Sequence, residues 1–510
     1  MTPRLEREDG SPISLSEAQN LDGDLVAQLH YRAACDKLYT DLNRQQHTIC
    51  SLVRHHLSLD DSATCKVLPQ EQWTKGSFNV CIPIQTTSGS VHRNLMLRCC
   101  LPYKLAEAHY SGTIDEKLSC EVGAYAWMQQ YCQDIRIPFL YGFGFTDHRQ
   151  YTHENYRPCY MRLVRKIQRR AFSFTHRDIP TYYTRHPSPY HLPTAYMLLE
   201  YIGSDVGQML SNTWSSQLHD SCRRERLFRG IARAMLSLAR LPQAQIASFQ
   251  FHDDCRISLT NRPLTCSMMI FENEGTPRMM QRTETYSCTE AFISDTLSYH
   301  DSRLISHPNI IYDKEDCRES MAMRTLLRAL PCKYLSKEYR NGPFPLQFTD
   351  LHASNIFVDE EWNVTCFIDL EWICARPVEM LAVPYWLTNL KVDEIKGEQL
   401  HEFDRVRQEF MRILKAEEEK VLINPSISLS KVMESMWESR RVWFWYCLDS
   451  VDAMSYLVRD HICPQFGTSW SPKMEEILSY FWCEDSQKLV DKKMNQLEEY
   501  QERLKDLFRT

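Results

Sequence analysis

The stretch FTDLHASNIFVDEEWNVTCFIDLEW, from Phe348 to Trp372, is the part of the chain that decides how the rest is interpreted. It holds two short apolar runs, Ile356–Val358 and Val364–Ile368, with a polar, turn-like segment between them. Apolar and β-branched residues bounded by polar clusters favour a β-hairpin. Polar residues precede the first strand and follow the second. Because the two outer ends of a hairpin lie side by side, we expect the side chains of these residues to lie near one end of it. These residues are Asp350, Asn355 and Asp369.

The order and spacing of these three residues resemble the aminoglycoside phosphotransferase and choline kinase group, and most closely its large fungal branch. In that family the first Asp orients the acceptor hydroxyl and takes its proton, while the Asn and the second Asp hold magnesium on the nucleotide phosphates. The resemblance therefore implies that Asp350 is the catalytic base and that Asn355 and Asp369 are metal ligands. The alternative is that an Asp- and Asn-rich loop before a hairpin is only turn chemistry.

The catalytic loop departs from the family pattern at its start. The family normally has His-Gly-Asp, whereas this chain has Phe348-Thr349-Asp350. The missing His normally helps to brace the loop, so the departure bears on the rate of catalysis and leaves the base and the metal ligands in place.

Residues 64–145 are predicted to form a small β-rich unit in which small residues allow the backbone to approach nucleotide phosphates. The candidate phosphate loop is Lys75-Gly76-Ser77, and its alternative is a plain hairpin turn. By resemblance, Arg98 on the next strand takes the position of the phosphate-binding lysine of kinases, and Glu121 on the following helix pairs with it. The alternatives are a surface arginine and a solvated glutamate.

The strand near residue 200 resembles the hinge that joins the two lobes of a kinase. An adenine ring needs exposed backbone N–H and C=O groups there, and the candidates are Glu200, Tyr201 and Ile202. Upstream of this strand, residues 146–193 form a predicted insertion with a basic run between Arg162 and Arg170. This run is typical of a solvated basic helix face, although an anionic partner is the alternative.

Composition limits the class of protein. The chain has 510 residues, 43% of them hydrophobic and 25% charged, which is typical of a globular protein. The net charge of −7 provides no basic field for nucleic acid. The twenty cysteines form no C-x-x-C pair, which is typical of reduced thiols in an intracellular protein. Because no signal, transit or membrane-spanning segment is evident, we expect a cytoplasmic protein with no membrane partner.

These patterns together predict an α+β, two-lobed, protein-kinase-like fold with a small β-rich N-lobe and a large, mostly helical C-lobe with insertions. The predicted divisions are a polar tail and N-terminal helix (1–62), a nucleotide-binding N-lobe (63–202) and a helical C-lobe (203–510) that contains the catalytic hairpin. Within them, residues 1–22 are predicted to be a disordered tail, residues 25 to about 57 a helix, and residues 223–241 an amphipathic helix. The aromatic residues between Met436 and Tyr446 are more typical of core than of a substrate pocket. The predicted function is ATP- and magnesium-dependent phosphoryl transfer to a hydroxyl group of a small molecule. The alternative is a pseudokinase that binds nucleotide or a protein partner and transfers nothing. Acceptor and oligomeric state stay open.

Overall fold

A computed structural model of the chain describes residues 5–21, 23–175, 178–420 and 427–509, which form both strands and helices. The strands are β1 (Leu5–Glu6), β2 (Pro12–Ile13), β3 (Thr64–Val67), β4 (Thr74–Lys75), β5 (Asn79–Ser88), β6 (Val91–Cys100), β7 (Leu140–Gly144), β8 (Gln150–His153), β9 (Tyr183–Arg185), β10 (Tyr196–Glu200), β11 (Gln208–Met209), β12 (Ala247–Phe251), β13 (Ile257–Asn261), β14 (Leu346–Phe348), β15 (Ile356–Val358), β16 (Val364–Phe367) and β17 (Ile373–Ala375). The helices are α1 (Leu15–Gln19), α2 (Leu25–Gln28), α3 (Tyr31–Arg44), α4 (Gln46–Leu57), α5 (Thr113–Tyr131), α6 (Cys159–Phe174), α7 (Trp214–Gln217), α8 (Ser221–Ala239), α9 (Cys266–Asn273), α10 (Thr289–Ser306), α11 (Lys314–Ala329), α12 (Pro331–Tyr334), α13 (Gly397–Glu418), α14 (Leu429–Glu438), α15 (Val442–Asp449), α16 (Met454–Leu457), α17 (Pro472–Tyr480) and α18 (Ser486–Leu507).

The largest sheet has eight antiparallel strands in the order β3-β5-β6-β10-β7-β8-β9, with β4 added beside β5. Its two sides belong to different hydrophobic clusters, because successive side chains of a strand point to opposite faces. On β10, Leu198 lies in a cluster with α4, whereas Met197 and Leu199 lie in the cluster that includes α5. The sheet is therefore covered by helices on both faces.

Helix α5 is buried on nearly every side, in keeping with its position between the large sheet and β12. The approach to β12 is close at Gly123, where an added β-carbon would lie 2.5 Å from the β-carbon of Phe249. A helix enclosed in this way carries its polar side chains into the interior, and each of them then needs a partner. Two such residues are Lys117 and Glu121.

The predicted hairpin is formed by β15 and β16, and it pairs with β11 in a three-stranded sheet. A second small sheet has the strand order β13-β12-β17-β14. The two loops between these sheets are fixed at both ends, since Phe348 pairs with Ile373 in one sheet and Ile356 pairs with Phe367 in the other. Residues 349–355 and 368–372 consequently lie side by side.

Two predictions for the N-terminal part were wrong in detail. Residues 5–21, predicted as a disordered tail, form β1, β2 and α1, and Ile13 packs with Tyr500 and Leu504 of α18. The predicted single helix from Leu25 to about Leu57 is divided into α2, α3 and α4. Residues 5–21 are ordered by tertiary packing, which sequence periodicity does not show.

The aromatic run in α14 and α15 lies mostly in the core, with Trp443, Phe444 and Trp445 buried. Helix α8 agrees with its predicted amphipathic pattern, since Leu227, Ile231 and Leu238 are all buried. The protein is thus a mixed α and β structure with helices packed on its sheets. Because the cluster around α5 continues into the C-terminal helices, the division into two lobes at residue 202 stays a prediction.

Candidate functional site

The candidate catalytic loop follows β14 and contains Asp350, which is half-buried. Although the family's His is absent, the loop is braced by other contacts. The Phe348 ring stacks on Phe367 with centroids 5.5 Å apart, and the Thr349 hydroxyl donates a hydrogen bond to the Trp372 carbonyl at 2.6 Å. These contacts hold the two residues that precede Asp350 against the hairpin and the loop that follows it.

Asn355 ties the two loops together. Its side-chain nitrogen donates to the Asp350 carbonyl at 2.9 Å, and its own carbonyl accepts from the amide of Ile368 at 3.0 Å. The side-chain oxygen of Asn355 is then the atom of this side chain that could bind a metal ion. Asn355 is buried, and its partner Ile368 directly precedes Asp369. The two predicted metal ligands, Asn355 and Asp369, therefore lie at one end of the hairpin.

Asp369 has a φ of +60°, in the left-handed region that a non-glycine residue adopts only under local constraint. Its Oδ1 accepts from Arg98 at 2.6 Å. Burial raises the pKa of this carboxyl to about 7, with Glu371 and Glu121 adding to the rise and Arg98 opposing it. Burial also raises the pKa of Asp350, an effect that His352 opposes. Both carboxyls are therefore held closer to neutrality than an exposed Asp.

Arg98 connects the large sheet, α5 and the hairpin. Its guanidinium contacts Glu121 at 2.5 Å, Asp369 at 2.6 Å and Glu371 at 3.2 Å. These contacts include the predicted Arg98–Glu121 pair and add the direct link to Asp369. A planar guanidinium can serve several carboxylates at once, which a lysine in this position could not do with the same geometry.

Lys117 is a second buried cation that sequence inspection missed. It lies one turn before Glu121 on α5 and contacts that carboxylate at 2.8 Å, the Asn79 side-chain oxygen at 3.0 Å, and Glu371. Lys117 and Arg98 lower the pKa of Glu371 even though burial opposes them. The two cations, three carboxylates and one amide form what we call the ion network: Asn79, Arg98, Lys117, Glu121, Asp369 and Glu371.

The carboxylates of the ion network also have the geometry of a metal cluster, because one oxygen from each of Glu121, Asp369 and Glu371 lies within 4.8 Å of the others. Glu121 and Glu371 already pair with both cations, however. Oδ2 of Asp369 accepts no hydrogen bond from the described residues, and together with the Asn355 oxygen it supplies the hard ligands that magnesium prefers.

The candidate phosphate loop is the turn between β4 and β5. Lys75, Gly76 and Ser77 are exposed, and the Phe78 ring packs edge-on against Trp372 with centroids 5.0 Å apart. The loop therefore lies beside the ion network. Lys75 is not free, because its amine pairs with Glu8 at 3.1 Å.

The candidate hinge residues follow β10, but two of their amides are occupied. The amide of Glu200 donates to the Phe139 carbonyl at 2.8 Å, and that of Tyr201 donates to the Asn94 carbonyl at 3.4 Å. The Glu200 carboxylate pairs with Arg136 at 2.8 Å. Within the described ranges, the amide of Ile202 has no such partner, so of the three amides it is the one available to an adenine.

A cavity of about 300 Å³ is lined by Asp350 and its neighbours in the loop. Its wall combines aromatic rings with charged groups, so it could hold a small polar molecule next to Asp350. The aromatic run of α15 contributes one of these rings, although most of that run is core. The residues at this wall include Asp350, Arg376, Tyr385, Trp386, Tyr446 and Asp449.

No family model and no curated protein matches this sequence. Among solved structures, the chain is similar to a macrolide 2'-phosphotransferase type I, with 9% identity, a TM-score of 0.31, and coverage of 83% of this chain and 96% of that one. It is also similar to a spectinomycin phosphotransferase in complex with ADP and spectinomycin, with 10% identity, a TM-score of 0.30, and coverage of 85% and 97%.

Proposed function

We propose that this protein transfers the γ-phosphoryl group of ATP to a hydroxyl group of a small molecule. The observation that carries the proposal is the set of contacts made by Arg98, which joins Glu121 on α5 to Asp369 after the hairpin. Phosphoryl transfer is largely a matter of positioning and charge neutralisation, and it needs a cation, metal ligands and a proton acceptor around one place. In this proposal these groups act together between the exposed 75–77 loop and the cavity beside Asp350.

In this proposal the acceptor hydroxyl lies in the cavity and donates its proton to the Asp350 carboxylate as its oxygen bonds to the γ-phosphorus. The bond from that phosphorus to the β–γ bridging oxygen breaks, and ADP leaves. Asn355 and Asp369 fit magnesium through their oxygens, and the ion, when bound, neutralises charge on the phosphates. Arg98 and the exposed 75–77 loop bind the phosphates, and the hinge near Ile202 binds the adenine.

A second function is favoured by the same contacts. The guanidinium of Arg98 is already shared among three carboxylates, which leaves fewer of its N–H groups for a phosphate. A pseudokinase that binds nucleotide or a protein partner, without transfer, would tolerate this. The retained Asp350 next to a cavity favours the enzyme, because binding alone gives a proton acceptor no task.

The first experiment is the melting temperature of the purified protein with and without ATP and magnesium, for the wild type, Asp369→Ala and Asp350→Asn. A ligand that binds the native state raises the melting temperature by mass action. We expect a magnesium-dependent rise in the wild type and in Asp350→Asn, and none in Asp369→Ala. Glu360→Ala is the matched control, since it removes an exposed acid from the turn of the same hairpin.

The second experiment separates the two functions. Release of ADP from ATP is measured with and without a panel of hydroxylated small molecules, and we expect acceptor-dependent release that Asp350→Asn abolishes. Binding without release in any condition would favour the pseudokinase. A melting temperature that does not respond to saturating ATP and magnesium would refute both nucleotide-dependent functions.

A further inference from the structure

Helix α6, which lies within the predicted insertion, does not pack on the protein by its most apolar side. Two arginines on its inner side hold it to the protein, beside the half-buried Met161 and Phe172. Arg169 pairs with Glu154 at 2.5 Å, and Arg165 donates to the carbonyls of Thr181 and Tyr183 at 3.0 and 3.1 Å. The basic run predicted as a solvated face is thus partly a set of attachments to the protein. Amphipathic helices normally attach by their apolar side.

The opposite side of α6 is apolar and faces solvent. Five large residues on it are each between 59% and 88% exposed, and their spacing from the first, at i+3, i+4, i+7 and i+14, puts them on one stripe. We call this stripe the α6 apolar face. Its residues are Tyr160, Leu163, Val164, Ile167 and Phe174. Contiguous exposed apolar residues of this kind mark interaction sites, whereas scattered single ones need no explanation.

A row of cations runs along one edge of this face. Arg162, Lys166 and Arg170 are exposed, and among the described residues no acid pairs with them. The sequence of α6 itself contains no Asp or Glu. The helix therefore combines an apolar stripe with unneutralised positive charge in a protein whose net charge is −7. The apolar stripe and its cations are therefore complementary, in polarity and in charge, to a surface that carries negative charge on the outside and apolar groups beneath it.

We propose that the α6 apolar face docks the protein on an anionic lipid bilayer, with the helix lying in the interface. A basic amphipathic helix buries its apolar side at the boundary of headgroups and acyl chains, and anionic lipids attract its cations. None of the described helices is long and apolar enough to cross a membrane, so the contact is peripheral. The prediction of no membrane partner was based on the lack of a membrane-spanning segment. It did not consider a peripheral contact made by an exposed helix.

Other occupants fit the surface less well. A protein that encloses a basic helix needs access to all its sides, but the inner side of α6 is held by Arg165 and Arg169. A second copy would bring two rows of like charge together at the rim of the contact. A bilayer is a flat surface that needs only the outer half of the helix, about 24 Å long for 16 residues.

The test is flotation of the full-length protein with vesicles of phosphatidylcholine alone, and with vesicles of equal parts phosphatidylcholine and phosphatidylserine. We expect the wild type to float with the anionic vesicles, less so as salt is raised, and not with the neutral ones. Leu163→Gln/Ile167→Gln should abolish flotation. Arg162→Gln/Lys166→Gln/Arg170→Gln should lower the partition coefficient on the order of a hundredfold, because each cation near such a surface accounts for about fivefold.

The matched control is Ile477→Gln/Phe481→Gln, which removes an equally exposed apolar pair beside the acids of α17 and should leave flotation unchanged. Circular dichroism and the melting temperature of each variant verify that it is folded. Failure of the folded wild type to bind anionic vesicles at low salt would overturn the proposal, as would binding that persists in Leu163→Gln/Ile167→Gln. A dimer that this double variant dissociates would assign the face to a second copy instead. The readout does not depend on phosphoryl transfer.

Discussion

Replacement of Lys117 by methionine tests the ion network most directly. In the wild type, two buried cations compensate the charge of three carboxylates. Lys117, like Arg98, contacts both Glu121 and Glu371. Lys117→Met keeps the length of the side chain and leaves Arg98 as the single cation. Removal of one partner from a buried ion pair costs about 3–5 kcal/mol, because the remaining charge stays buried without compensation. We expect a loss of this size in the free energy of unfolding.

Most of that loss is the penalty of an uncompensated carboxylate, so removal of that charge should recover part of it. The double variant Lys117→Met/Glu371→Gln should cost less than the sum of the two single variants by about 0.5–3 kcal/mol, the usual coupling between contacting residues. The free energies are measured by urea denaturation of the wild type, both single variants and the double variant.

Lys473→Met is the control, since Lys473 is exposed on α17 and surface substitutions change stability by about 0.5 kcal/mol or less. If Lys117→Met costs no more than Lys473→Met, the network is not buried as described. If Glu371→Gln adds its full cost to that of Lys117→Met, the two side chains are not coupled, and the reasoning from uncompensated charge is refuted.

Three further predictions follow from the site and its support. Burial raises the pKa of Asp369 from 3.8 to about 7, so the folded protein holds a proton that the unfolded chain has released between these values. Stability without ligand should therefore fall as pH rises through this window, and Asp369→Asn should reduce the fall in urea titrations. Metal ligation needs the carboxylate, so the rise in melting temperature with ATP and magnesium should grow from about pH 6 to about pH 8 in the wild type alone. Gly123→Ala places a β-carbon 2.5 Å from a phenylalanine β-carbon on β12 and should cost about 1–3 kcal/mol in urea denaturation, whereas Gly76→Ala, whose nearest contact is 3.7 Å away, should leave stability unchanged. Glu8→Gln releases Lys75 from its ion pair, and calorimetry should show ATP and magnesium binding about two- to fivefold tighter; equal affinity would mean that Lys75 does not contact the phosphates.

Several parts of this structure could be predicted because the information for them is local. The hairpin is predicted by two apolar runs and the turn between them. Helix α8 is predicted by apolar residues that recur every three or four positions. The proximity of Asn355 and Asp369 follows from the hairpin, since residues that directly flank its two strands lie at the same end. Asp350 is brought beside them by the pairing of Phe348 with Ile373 in another sheet. The pairing of Arg98 with Glu121 was reached by resemblance, because nothing in the local pattern links a strand residue to a helix residue.

What only the tertiary structure decided concerns the partners of charged side chains. Lys117 has an ordinary place in a helix, and its role depends on the close packing of α5 against β12, which buries it beside Glu371, 254 positions further along the chain. The same holds for Glu8, which contacts Lys75 although 67 positions separate them in the sequence, and for the arginines by which α6 is held to the protein. Hydrophobic periodicity is a property of a single element, and it determines that element's shape. Whether a charge is solvated, paired or buried depends on which elements pack against it, and that is settled only by the fold as a whole.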